Sequence, residues 1–277
     1  MRVIGIVEKT GDGLLRRRLC YAGLNAGGKT SFNGIERKLF ALSPGGLDSL
    51  PGNSAGLIIS ESELPDEFFL AVGEVLFRSC ASSAALKELK VIRGGFVALS
   101  ARASFLRPVK SAVLTVSDKG AAGEREDTSG PALAERLEGL GCDVEASALL
   151  PDNRQEIEGL LKDWSDNRGM HLILCTGGTG FSPRDVTPEA VETVAERLVP
   201  GIGEAMRAAS LKITPRAVLS RANAAIRGGT LIISLPGSEK AARECFDSVS
   251  GALRHGIEII RGWDGECASS PADKGGN

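Results

Sequence analysis

The chain has 277 residues, 42% of them apolar and 25% charged, with a formal net charge of −2, so length and balance suggest about two globular domains. Near-neutral charge gives no footprint for bulk nucleic-acid or anionic-membrane binding, and no apolar stretch reaches the length of a membrane span. Six cysteines, none spaced C-x-x-C, and two histidines exclude the usual zinc sites and read as small buried thiols in a reducing compartment.

The first segment, MRVIGIVEK, reads as a short buried strand. It carries no long apolar leader, and a cytoplasmic location is expected. TGDG (10–13) is a turn, and LLRRRLCYA (14–22) reads as a short helix with Leu14, Leu15 and Leu19 on one side and three arginines on a solvated face. GLNAGGKT (23–30) then spells the phosphate-loop pattern G-x-x-x-x-G-K-[ST]. A working phosphate loop needs an apolar strand before it and a helix starting at its Lys-Thr. Here an arginine-rich segment precedes it and the Asn33-Gly34 turn signal follows, so the motif is read as structural. LIISE reads as a strand, PDEFFLAVGEVLFRSCASSAAL (65–86) as a helix, and ELKVIRGGFVALSA as one or two further strands. Together they describe a smaller α/β domain over 1–105, of no assigned function, with ARASFLRPVK as a linker whose end Pro108 restricts.

The second half alternates regularly. SAVLTVS, DVEASALLP, HLILC and GTLIISLPG read as strands. SGPALAERLEGLG, RQEIEGLLKDWSD, a segment starting at Pro188 with Thr187 as its cap, and SEKAARECFDSVSGALRHGIEIIRG read as helices. That order describes an α/β three-layer domain with a mostly parallel sheet covered by helices on both faces, over 110–262, followed by a polar, disordered tail over 263–277.

The chemistry concentrates in CTGGTGFSPRDVTPEA, Cys175 to Ala190. It leaves the carboxyl end of a buried strand, where such sheets place their ligands. Gly177, Gly178 and Gly180 let backbone N–H groups form an anion-binding concavity, and Thr176, Thr179 and Ser182 add hydroxyls. Asp185 beside a phosphate-binding loop would be repulsive unless it holds a donor or a cation, and Mg²⁺ bridging to phosphates is the economical explanation. The other reading is a glycine-rich turn with Asp185 capping the next helix, and spacing alone does not choose between them. Asp152, in LLPDNRQEI, read alone is an ordinary helix cap. Ser117 and Asp118 lie in a third loop and LPGSEKA is a fourth, so four loops could line one crevice. His171 and His255 read as packing or surface residues rather than catalysts.

TVSDKGAAGEREDTSGP, LLPDNRQEI, CTGGTGFSPRDVTPEA, the run from GIGEAMRAAS through LSRA to LPGSEKA, and ALRHGIEIIRG resemble the molybdopterin adenylyltransferase family in order and spacing, over about 110–262. The same domain forms the amino-terminal part of gephyrin. The first half lies outside the resemblance. What it implies is Mg-ATP-dependent adenylylation of molybdopterin with release of pyrophosphate, and a homotrimer; a non-catalytic molybdopterin carrier is the alternative within the same family. By position the resemblance gives Asp152 and Asp185 to Mg²⁺ and phosphate positioning. It gives Thr176, Gly177, Gly178, Thr179 and Gly180 to cradling the pterin phosphate with Ser182 nearby, and Ser117, Asp118, Pro236, Gly237 and Ser238 to the pocket wall. The adenylylated product is the form into which molybdate is later inserted, which makes a molybdenum insertase the expected partner.

Overall fold

The computed structural model describes residues 1–10, 13–25, 28–80 and 86–263. The chain divides into two compact units, Met1–Pro108 and Val109–Asn277.

Among the described residues the first unit is built of strands, with one 3-10 turn at Leu47–Ser49. An eight-stranded sheet runs in the order 103–106, 69–72, 75–80, 86–93, 38–42, 54–59, 3–10, 13–17, antiparallel except where 38–42 meets 54–59. A four-stranded antiparallel sheet orders 95–98, 19–24, 30–32 and 35–36. Both sheets contribute to one core, in which Cys20, Ala22 and Phe32 join Ile6, Leu57, Phe77 and Leu89.

This corrects the small α/β domain and three of its parts. The expected helix over 14–22 is two strands, Gly13–Arg17 and Leu19–Leu24. In Leu19–Leu24 the small Cys20 and Ala22 face the core while Leu19 and Tyr21 face out, a period of two that the three leucines disguised. The expected helix over 65–86 is the hairpin Phe69–Val72 and Val75–Cys80, turning at Gly73 with φ 59°, the conformation two-residue hairpins demand; residues 81–85 lie outside the described residues. The expected linker contains an edge strand, Ala103–Leu106, paired to Phe69–Val72. The Asn33-Gly34 turn stands as read: φ 50° and 79° close the hairpin between Thr30–Phe32 and Ile35–Glu36. The phosphate-loop pattern therefore joins two antiparallel strands, and no helix starts at Lys29-Thr30; Ala26 and Gly27 lie outside the described residues.

The second unit follows the expected alternation. Numbering within it, the strands are β1 Val109–Val116, β2 Cys142–Leu150, β3 Leu172–Thr176, β4 Arg197–Leu198, β5 Ala224–Arg227 and β6 Thr230–Leu235. The helices are α1 Asp118–Ala121, α2 Ser129–Gly139, α3 Arg154–Lys162, α4 Thr187–Val194, α5 Pro200–Leu211 and α6 Glu239–Ile260. Sheet order is β2-β1-β3-β6-β5-β4, parallel from β2 to β6 and antiparallel at the β5 and β4 edge. Alternate strand residues feed two cores, as the pleat requires. Leu172, Leu174, Leu231 and Ile233 meet Leu133 and Leu137 of α2, Met206 of α5 and Phe246, Leu253 and Ile257 of α6. Ile173, Cys175 and Ile232 meet Ile157 and Leu161 of α3 and Val191 and Val194 of α4. A strand buried on both faces reads as an unbroken apolar run, which is why HLILC was legible.

Trp263 belongs to this unit rather than to a tail. Its ring meets His171 edge-on at 5.0 Å, and residues 264–277 lie outside the described residues. His171 is structural, its Nδ1 accepting from Lys110 N at 3.1 Å. No helix among the described residues is long and apolar enough to cross a membrane.

Candidate functional site

Four loops leave the carboxyl ends of β1, β2, β3 and β6 at one edge of the sheet. The loop after β3 is anchored at both ends. Thr176 Oγ1 donates to Pro236 O at 2.7 Å, and Gly177 N donates to Leu235 O at 3.1 Å. Gly177 and Gly178 hold φ of 105° and 61°, which side chains resist. A Cβ on Gly177 would strike the Val116 carbonyl, and one on Gly178 would stand 2.8 Å from Asp152 Oδ1. On Gly180 it would stand 2.9 Å from Asp185 Oδ2. Glycine is required here because carboxylates and backbone crowd the loop. The amides of Gly178, Thr179 and Gly180 have no acceptor among the described residues, which leaves three adjacent donors for an anion.

The loops after β1 and β2 interlock. Asp118 N donates to Asp152 Oδ2 at 3.0 Å, and Asp152 N donates to Asp118 Oδ1 at 3.0 Å. Arg184 grips Asp118 with two bonds, Nε to Oδ2 at 3.0 Å and Nη2 to Oδ1 at 2.7 Å. That guanidinium holds the Asp118 carboxyl below its usual range. Asp152 moves the other way: burial raises it, and the neighbouring charges of Asp118 and Asp185 raise it further. The two carboxylates thus differ because Arg184 bonds directly to Asp118, whereas at Asp152 burial outweighs a backbone donor and the more distant Arg184 charge. Asp185 accepts from Ser182 N at 2.9 Å, fixing the turn before α4.

Two cavities open on either side of the glycine loop. One, of about 290 Å³, is lined by Ser117, Asp127, Asp152, Thr176 and Gly177, and the other, of about 490 Å³, by Thr179, Gly180, Arg207, Arg216, Pro236 and Glu244. Gly178, Asp185, Gly237 and Ser238 line both. Of the expected site residues, Asp118 and Ser182 line neither cavity. Asp118 supports Asp152 from behind, and the Ser182 hydroxyl accepts from Arg184 N at 3.2 Å. The Ser117 hydroxyl lines the smaller cavity while accepting from Gly120 N at 3.1 Å.

Two residues that sequence reasoning passed over organise the site. Arg221 donates from Nε to Gly180 O at 2.7 Å, from Nη2 to Asp185 O at 2.6 Å, and pairs with Glu189. Its own N donates to Thr179 O at 3.0 Å, so one residue holds both ends of the acidic loop. It comes from the LSRA run some forty residues on, where nothing local shows which groups it will meet. Asp127 accepts from Gly130 N at 2.9 Å and from Thr115 Oγ1 at 2.7 Å, capping α2 against β1. The run Asp-Thr-Ser-Gly before an apolar helix was the available signal.

Asp152 Oδ1 and Asp185 Oδ1 take no hydrogen bond among the described residues. No group of three or more His, Cys, Asp or Glu side chains suited to a metal occurs among the described residues. Two carboxylates without a third fit Mg²⁺, which keeps waters and completes its shell with substrate phosphates, better than an ion needing an all-protein cage. A cation there would also relieve the charge crowding on Asp152.

A family described as "Probable molybdopterin binding domain" matches residues 112–255. The chain is 42% identical over 159 residues to the molybdopterin adenylyltransferase of Helicobacter pylori, covering 57% of this chain and 90% of that protein. It is 41% identical to the Drosophila melanogaster molybdenum cofactor synthesis protein cinnamon, of which it spans 25%. Among solved structures, the molybdopterin biosynthesis enzyme MoaB of Thermus thermophilus is 47% identical, with a TM-score of 0.54 over 56% of this chain and 97% of that one.

Proposed function

Since this chain belongs to the molybdopterin-binding domain family, we propose that its second unit adenylylates molybdopterin with ATP and takes part in molybdenum cofactor biosynthesis. In this reaction a terminal phosphate oxygen of molybdopterin bonds to the α-phosphorus of ATP. The bond from that phosphorus to the bridging oxygen breaks, and pyrophosphate leaves. Such a transfer needs positioning and charge neutralisation rather than a covalent nucleophile.

The observation that carries the reading is the pair of cavities meeting at Gly178, Asp185, Gly237 and Ser238. Two substrates can lie on either side of the glycine loop with their phosphates at the shared wall. There the amides of Gly178, Thr179 and Gly180 donate to phosphate oxygens, and the amino terminus of α6 at Ser238 adds its partial positive charge. Asp152 and Asp185 would hold Mg²⁺, which when bound neutralises phosphate charge at the reacting centre. Asp118 and Arg221 act through others: the first fixes Asp152, the second fixes the Gly180–Asp185 turn.

The finer points belong to the same proposal. We read the compartment as cytoplasmic because Cys20, Cys142, Cys175 and Cys245 are buried thiols. Assembly as a homotrimer and transfer of the product to a molybdenum insertase complete it. Relatives named as transferases at about 40% identity favour catalysis over a carrier role. Incubation of the purified chain with molybdopterin and Mg-ATP tests this. Adenylylated molybdopterin and pyrophosphate, dependent on both substrates, are expected, and bound pterin without product would overturn it.

A further inference from the structure

The adenylylation reading leaves the first unit without a task, yet that unit holds a built polar cavity of about 600 Å³. Its wall carries Lys29, Arg37, Lys38 and Lys90 together with Glu36 and Glu88. Most of these charges cancel locally. Lys29 Nζ pairs with Glu36 at 2.8 Å and Lys38 Nζ with Glu88 at 3.4 Å. Lys90 has no ion-pair partner among the described residues.

Arg37 is the residue that departs from an ordinary surface. Its side chain is only 8% exposed, and its Nε and Nη1 are buried without a hydrogen-bond partner. The nearest carboxylate oxygen, Glu8 Oε2, stands 3.9 Å from Nη1, an ion pair without a hydrogen bond. Glu8 is already engaged, its Oε1 accepting from Arg17 Nε at 3.0 Å and from Asn33 Nδ2 at 2.8 Å. One carboxylate thus faces two guanidinium groups, and Arg37 keeps unmet donors in a cavity wall. Buried polar groups of native proteins are almost always satisfied, and an unmet guanidinium N–H calls for an acceptor oxygen. The local surplus is one positive charge at the Glu8 cluster and one at Lys90. A tetrahedral, doubly charged group matches both; a monocarboxylate would match one.

We propose that this cavity binds a small phosphate-bearing anion, its oxygens shared between Lys90 and the Arg37 guanidinium, which turns toward the ligand on binding. The site is separate from the glycine loop of the second unit and does not depend on its chemistry. The Gly23–Thr30 pattern contributes Lys29 and Thr30 to the wall, as part of a hairpin and not as a nucleotide loop.

The test is inorganic phosphate titrated at low salt into the full chain, followed by backbone amide NMR. Saturable shifts are expected at Arg37, Lys38 and Lys90, with the amides of Gly178–Gly180 reporting the other site separately. Exposed Lys90→Gln should weaken the first set by on the order of tenfold, the worth of one charged contact. Arg37→Gln should abolish it. Because Arg37→Gln can also disturb the Glu8 cluster, Lys90→Gln decides the matter. Shifts confined to Gly178–Gly180, or an affinity unchanged in Lys90→Gln, would overturn the proposal.

Discussion

Two glycine-rich loops in this chain look alike in sequence and differ in setting. Gly23–Thr30 joins two antiparallel strands of a β unit, while Thr176–Asp185 leaves a buried parallel strand and runs into a helix. In the first, added methyl groups at Gly28 would meet open space. In the second they would meet a carbonyl, two carboxylates and a threonine hydroxyl. A glycine motif acquires chemistry from what presses on it: in the first loop the Tyr21 ring crowds Gly23, while a carbonyl and two carboxylates crowd the second.

The substitution that bears hardest on this contrast is Gly177→Ala. The positive φ and the collision with the Val116 carbonyl should lower stability by about 3 kcal/mol or more and abolish turnover. Gly28→Ala also sits at positive φ but in open space, so it should cost about 1 kcal/mol and leave turnover unchanged. Urea unfolding of both variants checks this, and equal losses would dissolve the distinction. Next comes Asp185→Asn. Turnover should fall roughly 100-fold or more while molybdopterin still binds, the pattern of a group acting on transition-state charge. Wild-type kcat in that variant would remove Asp185 from its assigned role. Arg221→Lys should be milder. A lysine cannot bond to Gly180 O and Asp185 O together, so kcat/KM should drop roughly 10- to 100-fold. Restoration of activity by Lys, with loss only in Ala, would mean that charge alone matters there.

The same contrast explains what could be read in the sequence. In the second unit each helix carries its own punctuation, such as Pro131 in the first turn of α2 and Gly141 just beyond its end at φ 82°. The central strands β3 and β6 are plain apolar runs, and the edge strand β2 alternates, so local signals and tertiary placement agree. In the first unit they disagree. Leu14, Leu15 and Leu19 are exposed, and the core is met by Cys20 and Ala22, so helical spacing of leucines pointed to the wrong face. Phe68–Val72 and Val75–Phe77 are short apolar runs close in sequence, and such a spacing fits a helix as well as a hairpin. Only the two residues between Val72 and Val75 betray the turn. Within the site, the glycine loop stood out at a strand end, whereas Asp185 read equally as a helix cap, Asp152 read alone as a cap, and the resemblance gave both their role. Arg221 was not legible, because its partners are Gly180 and Asp185, brought to it only by folding.

Position also decides what a histidine does. His171 opens β3 at the amino edge, opposite the loops, and it is buried with Nδ1 accepting from Lys110 N. Burial, with Arg261 and Lys110 nearby, pushes it down to about 4 from an ordinary 6.5. Between those values the unfolded chain holds a proton that the folded chain refuses. Stability from this group is therefore full above about pH 6.5 and is lost as the pH falls toward 4. The expected loss is on the order of 2 kcal/mol, smaller than the effect of Gly177→Ala. Urea unfolding at pH 7 and pH 4.5 reads it directly. His171→Asn keeps an acceptor without a titrating ring and should flatten the difference. An equal pH dependence in that variant would move the effect to another group. A pH dependence of turnover that vanished with His171 would be worse for this placement, since it would give chemistry to the edge of the sheet that carries no loop of the site.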